Sequence, residues 1–398
     1  MTNHPNMDTP VIISACRTPI GKFGKSLVGV SAPSLGALVI EEALKRAKIP
    51  ADEVDEVIMG NVVSAGLGQN PTRQAAIHAG VPYGAGSITV NKVCGSGLKA
   101  VMLAASTIKA GDNRVVVAGG MESMSNTPYL ARGVRWGTKF GDARMQDSMI
   151  VDGLWEAYHN YHMGLTGECI AQKFHITRRE ADEFAYDSQL KASKASKAGF
   201  FDAEKVEVKI EHDGGGVTKF LDDECIRADT TVEKLGKLKP AFKPDGVLTA
   251  GNSSQLSDGA SAVVVTSERV ADKLGIKPIA KIVAYGTGGL EPARVMEAPI
   301  PTSKALLKKA KLDVNDIDLF EHNEAYSTAS IAVRRSLGVD ESRFNPSGGA
   351  VALGHPIGCS GARVLTTLIY ALRRTGKKTG FATLCLGGGN AVAMIVEA

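Results

Sequence analysis

Short, strongly apolar stretches at residues 11–15 and 114–118 read as buried strands. Leu35, Leu38, Val39, Ala43, Leu44 and Ala47 recur at the spacing of one helix face. Leu98, Val101, Met102, Ala105 and Ile108 repeat that spacing ahead of a Gly111-Asp112 stop. Strand-like runs alternating with helical periods at both ends of the chain predict an α/β architecture, its sheets covered by helices.

The same order of elements occurs twice. Ala43-Leu44-Lys45-Arg46-Ala47-Lys48-Ile49 followed by Val57-Ile58-Met59-Gly60-Asn61 is paralleled by Ala305-Leu306-Leu307-Lys308-Lys309-Ala310-Lys311-Leu312 followed by Ile317-Asp318-Leu319-Phe320 and Asn323, about 263 residues on. Ser96-Gly97-Leu98-Lys99-Ala100-Val101 is paralleled by Ser360-Gly361-Ala362-Arg363-Val364, and Gly111 before Val115-Val116-Val117 by Gly376 before Phe381-Ala382-Thr383-Leu384. A nearly constant offset over four elements predicts two homologous halves, each a sheet with its helices.

Residues 125–250 between them differ. Arg132, Arg135, Lys139 and Arg144 lie among glycines, and a helical stretch spans 177–199. Asp213-Gly214-Gly215-Gly216 signals a turn, and Lys234, Lys237, Lys239 and Lys243 follow with Pro240 and Pro244. This basic insertion reads equally as a solvated surface or as a lid whose cations meet a phosphate-bearing ligand.

Charge narrows the class. With 46 Lys plus Arg against 42 Asp plus Glu, the net charge of +4 over 398 residues gives no field for wrapping nucleic acid. No apolar run reaches the roughly 18 residues a membrane helix needs, and the polar start lacks a signal layout, so a soluble cytoplasmic protein is expected. Six cysteines without short paired spacing read as free thiols. His159 and His162 have helical i, i+3 spacing, but no ligand set completes a metal site, and none is expected.

Cys94, in Asn91-Lys92-Val93-Cys94-Gly95-Ser96-Gly97, falls at the first turn of a helix. The unpaired N–H groups there favour a thiolate; a buried, inert cysteine is the competing reading. His355, in Gly354-His355-Pro356-Ile357-Gly358, sits at the matching turn of the second half, where Gly358 aligns with Cys94. If the halves pack with these turns facing, a thiol and an imidazole meet. Cys385 closes a strand at 381–384 before Leu386-Gly387-Gly388-Gly389, whose free N–H groups could receive an oxyanion. Asn323 ends a strand at 317–320, where its amide could orient a water.

Taken together, Asn91 to Gly97, Asn323-Glu324-Ala325, Gly348 to Gly361, Leu384 to Gly389 and Gly119-Gly120-Met121-Glu122-Ser123-Met124-Ser125 resemble the active-site motifs of the thiolase family, over essentially the whole chain. The resemblance implies a thiolase fold, with two βαβ-type halves packed as a five-layer α-β-α-β-α core. Residues 1–124 plus 252–276 would form the first half, 125–251 an inserted loop domain for coenzyme A and oligomer contacts, and 277–398 the second half. It also implies acyl-CoA thioesters and CoA as substrates, no other cofactor, and a homo-oligomer built as a dimer of dimers.

By the same resemblance, Cys94 is the acyl-accepting nucleophile, His355 its base, and Cys385 the acid/base at the substrate α-carbon. Asn323 with His355 forms one oxyanion hole, and the N–H groups of Cys94 and Gly387 the other. Leu154, His162, Met163, Ser254, Met296 and Tyr326 match positions lining the pantetheine and acyl end, Arg227 a phosphate contact, and Phe242 an adenine-stacking ring. Met163 and Met296 suggest a short acyl pocket, hence acetoacetyl-CoA; a 3-ketoacyl-CoA thiolase of longer range and a non-catalytic acyl-CoA-binding relative are the alternatives. Tyr326, Cys359 and Asn390 depart from the usual phenylalanine, alanine and methionine.

Overall fold

The computed structural model describes residues 8–212 and 214–398; residues 1–7 of the polar start and Asp213 of the glycine turn lie outside them. Nine strands form the main sheet: β1 (Pro10–Arg17), β2 (Glu56–Gly60), β3 (Gly86–Val90), β4 (Val115–Ser123), β5 (Ser257–Ser267), β6 (Ala280–Gly289), β7 (Leu319–His322), β8 (Thr379–Leu386) and β9 (Asn390–Glu397), joined at β5 by the two-residue strand Gly21–Lys22. Their order is β7-β8-β9-β6-β1-β5-β4-β2-β3. β1, β4 and β5 are buried along their whole length, as both-faced coverage demands.

The helices flanking them carry ordinary stop signals. α1 (Ala32–Ala47) opens with the Ser31 hydroxyl accepting from the Ser34 N–H and closes on left-handed Lys48. α2 (Pro71–His78) joins it on the outer face of the first half, where Leu35, Val39, Val57, Val117 and Val264 pack together. α3 (Ser96–Ala110) lies inside, and later in the chain come α4 (Gly164–Lys173), α5 (Arg178–Lys197), α6 (Pro299–Ala310), α7 (Ser327–Leu337) and α8 (Ser360–Thr375). α3 and α8 share the central core with both sheet halves through Leu98, Val101, Val263, Val364, Leu368 and Val392. α6 and α7 cover the outer face of the second half over Phe320, Phe381 and Ile395. The five-layer α-β-α-β-α order follows.

The repeat is visible in the backbone. Lys48 and Lys311 end α1 and α6 at φ of 54° and 57°, and Gly111 and Gly376 end α3 and α8 at φ of 82° and 65°. β2, β4, β5 and β1 correspond to β7, β8, β9 and β6, with the same mixture of parallel and antiparallel pairing. The counterpart of β3 is reduced to a single bridge between Phe320 and Phe344. One feature differs from two separate sheets: β1 and β6 pair at Val11–Lys281 and Ile12–Ala280, so the ladder runs through both halves. That pairing occupies part of two edges that would otherwise stay open.

Within 125–251 the structure has α4, α5 and three hairpins. α5 starts in a capping box in which Thr177 and Glu180 satisfy each other's backbone N–H groups. His159 and His162 are not on a helix: Trp155–Glu156 and Tyr161–His162 pair as a hairpin, and Glu156 binds His159 in its turn. The i, i+3 spacing of two residues cannot by itself separate a helix from a tight turn. No helix among the described residues is long and apolar enough to cross a membrane.

Candidate active site

The helix starts of α3 and α8 cross at two glycines. A Cβ on Gly97 would lie 2.7 Å from the Ala362 nitrogen, and one on Gly361 2.4 Å from the Leu98 nitrogen, so only glycine permits this approach. The crossing brings the turn before α3 against the turn before α8. One small cavity of about 40 Å³ results, and Cys94, His355, Cys385 and Gly387 all line it.

Cys94 lies two residues before α3, whose N-cap is Gly95. Of the two readings of Cys94, thiolate or buried thiol, the surroundings favour the thiol. Enclosure by protein pushes the thiol up to about 12, against hydrogen bonds from the Gly387 N–H and its own N–H that pull it down. Burial outweighs the local dipoles. These same two N–H groups are the pair expected to hold an oxyanion.

His355 is set from both halves. Its N–H donates to the Gln255 carbonyl at 2.9 Å, and Nδ1 meets the Ser360 hydroxyl at the start of α8. Ser360 gives its only hydroxyl proton to the Pro356 carbonyl at 2.9 Å, so it must accept from His355 Nδ1–H. Nε2 therefore carries the lone pair. Burial, reinforced by the charge of Arg363, pushes the imidazole down to about 3 and keeps it neutral.

Asn323 directly follows β7, which begins and ends two residues later than the predicted strand. Its N–H donates to the Thr383 carbonyl at 3.1 Å, its Nδ2 approaches His355 Nε2 at 3.4 Å, and its buried Oδ1 has no protein partner. Cys385 lies within β8, not beyond it: its backbone pairs with Ala391, and the free N–H groups begin at Gly387. The strand runs further because Leu386 still pairs with Asn390, and the chain reverses only at Gly388 and Gly389, with φ of 79° and 80°. The Cys385 thiol is 3.6 Å from the Met296 sulfur; burial, and then the neighbouring Cys94, push its pKa up.

Leu154, Met163, Ser254, Met296 and Tyr326 line the same cavity. His162 and Phe242 flank it: their rings stack at 5.0 Å, and Phe242 meets the Tyr326 ring edge-on at 5.8 Å. Phe242, which the resemblance assigns to adenine, packs against His162 and the cavity-lining Tyr326. Arg227 is not among the lining residues. Its backbone N–H donates to Gln189, and its buried Nε and Nη2 have no protein partner.

Two supports left only faint marks in the sequence. Glu122, fully buried, accepts from Asn61 Nδ2 at 2.9 Å and from the N–H groups of Val62, Val63 and Gly358 at 3.0, 3.2 and 2.8 Å. It clamps the turn before α8 to the first half, although burial pushes its carboxyl up to about 7. Ser360, which fixes the His355 tautomer, was legible only as a repeat position. A buried acid inside the Gly119 to Ser125 motif was the one signal available for Glu122.

The thiolase N-terminal domain profile matches residues 10–269 and the thiolase C-terminal domain profile residues 276–398. An acetyl-CoA acetyltransferase of Cupriavidus necator is 51% identical over 391 residues, covering 98% of this chain and 100% of that protein. A probable acetyl-CoA acyltransferase of Staphylococcus epidermidis is 49% identical, covering 98% and 99%. The crystal structure of the Bacillus anthracis acetyl-CoA acetyltransferase superposes with a TM-score of 0.97 at 41% identity, over 98% of this chain and 99% of that one. With both domains matched in order and relatives aligned end to end, the chain belongs to the thiolase family.

Proposed function

We propose that this protein is an acetyl-CoA C-acetyltransferase, interconverting two acetyl-CoA with acetoacetyl-CoA plus CoA. The observation that carries this reading is a neutral imidazole and two thiols on one cavity that Met163 and Met296 also line. In cleavage, His355 Nε2 takes the Cys94 proton as the sulfur attacks the ketone carbon of acetoacetyl-CoA. The carbon-carbon bond breaks, the acetyl group stays on Cys94, and the acetyl-CoA enolate takes the Cys385 proton. Incoming CoA then gives its proton to the Cys385 thiolate and attacks the acetyl carbon. Departing Cys94 recovers its proton from His355, which returns every group to its starting state.

The Cys94 and Gly387 N–H groups would hold the oxygen of the tetrahedral intermediate. His355, protonated at that stage, would donate to the enolate oxygen together with a water held by Asn323 Oδ1. Leu154, His162, Met163, Ser254, Met296 and Tyr326 would enclose the pantetheine and acyl end, and Phe242, stacked on His162, would lie beside them and not on adenine. Arg227 suits an anionic part of CoA, because its guanidinium lies half-buried without a carboxylate partner. On this reading 125–251 is a loop domain between a first half of 1–124 plus 252–276 and a second half of 277–398.

A homo-oligomer, assembled as a dimer of dimers, is part of the proposal. β3 leaves one edge of the main sheet open, and between Tyr129–Leu130 and Gln146–Asp147 the tip carries Trp136 at 85% exposure and Phe140 at 100%. Six unpaired cysteines suit a reducing compartment such as the cytoplasm.

The test is CoA-dependent cleavage of acetoacetyl-CoA, followed by loss of its enolate absorbance, beside an eight-carbon 3-ketoacyl-CoA at equal concentration. A strong preference for acetoacetyl-CoA is expected. Equal or better use of the longer substrate would move the protein to the broad-range 3-ketoacyl-CoA thiolases. No turnover of either would leave an acyl-CoA-binding protein.

A further inference from the structure

The residue before the nucleophile is held in a conformation that its side chain disfavours. Val93 has φ of 47°, and among the non-glycine residues described at positive φ it is the one with a β-branched side chain; the others are lysines, asparagines and a histidine. For a branched residue the left-handed region is a true outlier, retained only where the surroundings over-determine it.

Here they do so from both sides. The Val93 N–H donates to Asn91 Oδ1 at 3.0 Å, and its carbonyl accepts from the Ser96 N–H at 3.0 Å and the Ser96 hydroxyl at 2.6 Å. The Lys92 N–H donates back to the Ser96 oxygen at 2.8 Å, and the Gly95 N–H to the Lys92 carbonyl at 3.2 Å. Asn91 is tethered in turn to the Val62 carbonyl at 3.3 Å. A closed ring of hydrogen bonds thus turns the chain so that Cys94 follows with both its sulfur and its N–H at the cavity.

Glycine would make this turn without strain, so the side chain needs a separate explanation. Its contacts supply one. A Cβ built on Gly387 would fall 3.3 and 3.6 Å from the two Val93 methyl groups, which places the isopropyl group flat against the Gly387 backbone. Gly387 follows β8 and opens the Gly387-Gly388-Gly389 turn, with no side chain of its own to fix it. A β-branched neighbour with a stiff χ1 is suited to hold such a peptide in place.

We propose that Val93 is a positioning residue that sets the thiol of Cys94 and the N–H of Gly387 at a fixed separation across the two halves of the molecule. The inference rests on Cys94 being the nucleophile. Backbone strain at Val93 directs the sulfur, and the methyl groups brace the amide that receives the developing oxyanion. Val93 also lines the cavity, and both roles act through its neighbours Cys94 and Gly387.

Val93→Ala and Val93→Gly remove the brace, whereas Val93→Thr retains the branch at nearly the same volume. With acetoacetyl-CoA and CoA, alanine and glycine should lower kcat about tenfold or more with KM changed less than about threefold, because the lost interaction strengthens in the transition state. Threonine should restore kcat to within about threefold of the parent. The rate of Cys94 alkylation by iodoacetamide should fall in the alanine variant and recover in the threonine one, a readout that simple packing loss would not follow. Should the glycine variant fail to fold, the alanine and threonine pair carries the comparison. Parent-like kcat in Val93→Ala, or equal losses in alanine and threonine, would overturn the positioning role while leaving Cys94 as nucleophile. Condensation surviving in Cys94→Ala would overturn the nucleophile assignment and this inference with it.

Discussion

The turn before α3 and the turn before α8 are copies of one design put to different uses. Both end a loop, open a central helix with Ser-Gly, and abut the other at Gly97 and Gly361. In the second copy the position equivalent to Cys94 is Gly358, whose N–H is locked by the Glu122 carboxylate at 2.8 Å. By the same repeat, Glu122 corresponds to Cys385. One diagonal of the pseudo-symmetric core is therefore a buried carboxylate on an amide, and the other is a pair of thiols facing a cavity. The first holds the halves in register, and the second is left free to do chemistry.

Cys94→Ala attacks the reactive diagonal at its centre and should lower kcat by at least about four orders of magnitude with the fold intact by circular dichroism. Cys385→Ala should cost condensation about 10³-fold, while the iodoacetamide reactivity of Cys94 is retained. Equal loss of both would mean that Cys385 acts by supporting Cys94.

The locking diagonal should respond in stability instead. Glu122→Gln presents an NH₂ group toward a site built from N–H donors, and should lower the unfolding free energy by about 3 kcal/mol in urea melts. An unchanged midpoint would remove Glu122 from its role as the clamp. Ser360→Ala frees the His355 tautomer and should reduce kcat about tenfold, roughly one charge-assisted hydrogen bond, with little change in melting temperature.

The smallest expected effect concerns pH. Burial lowers His355 to about 3, so its imidazole is unprotonated and able to accept the Cys94 proton throughout the neutral range. The acid limb should lie below the ordinary histidine value, and kcat/KM should change less than about threefold between pH 8 and pH 6. An acid limb centred near pH 6.5 would show that His355 is solvated in the working enzyme.

Much of the frame was legible because it is periodic. The helical faces of α1 and α3 and the apolar runs of β1 and β4 carry their own spacing, and the repeat turned two isolated motifs into facing turns. Pairings that involve only one or two residues left no such mark. The β1–β6 junction is two residue pairs long, and the Trp155 to His162 hairpin mimics helical spacing. The resting charge of Cys94 stayed open between thiolate and thiol for a related reason: sequence displays a helix start, but desolvation depends on what the other half packs over it. Glu122, Ser360 and Val93 act through partners 236, 5 and 294 positions away, and only the first and last of these spans join different halves.

The most direct test of the division of labour between the diagonals is to quench the enzyme after mixing with acetyl-CoA, which acylates without carbon-carbon cleavage, and to map the acetylated peptide by mass spectrometry. Acetyl on Cys94 is predicted in the parent and in Cys385→Ala, with none in Cys94→Ala. Acetyl on Cys385, or an acetylated enzyme that lacks Cys94, would contradict the account.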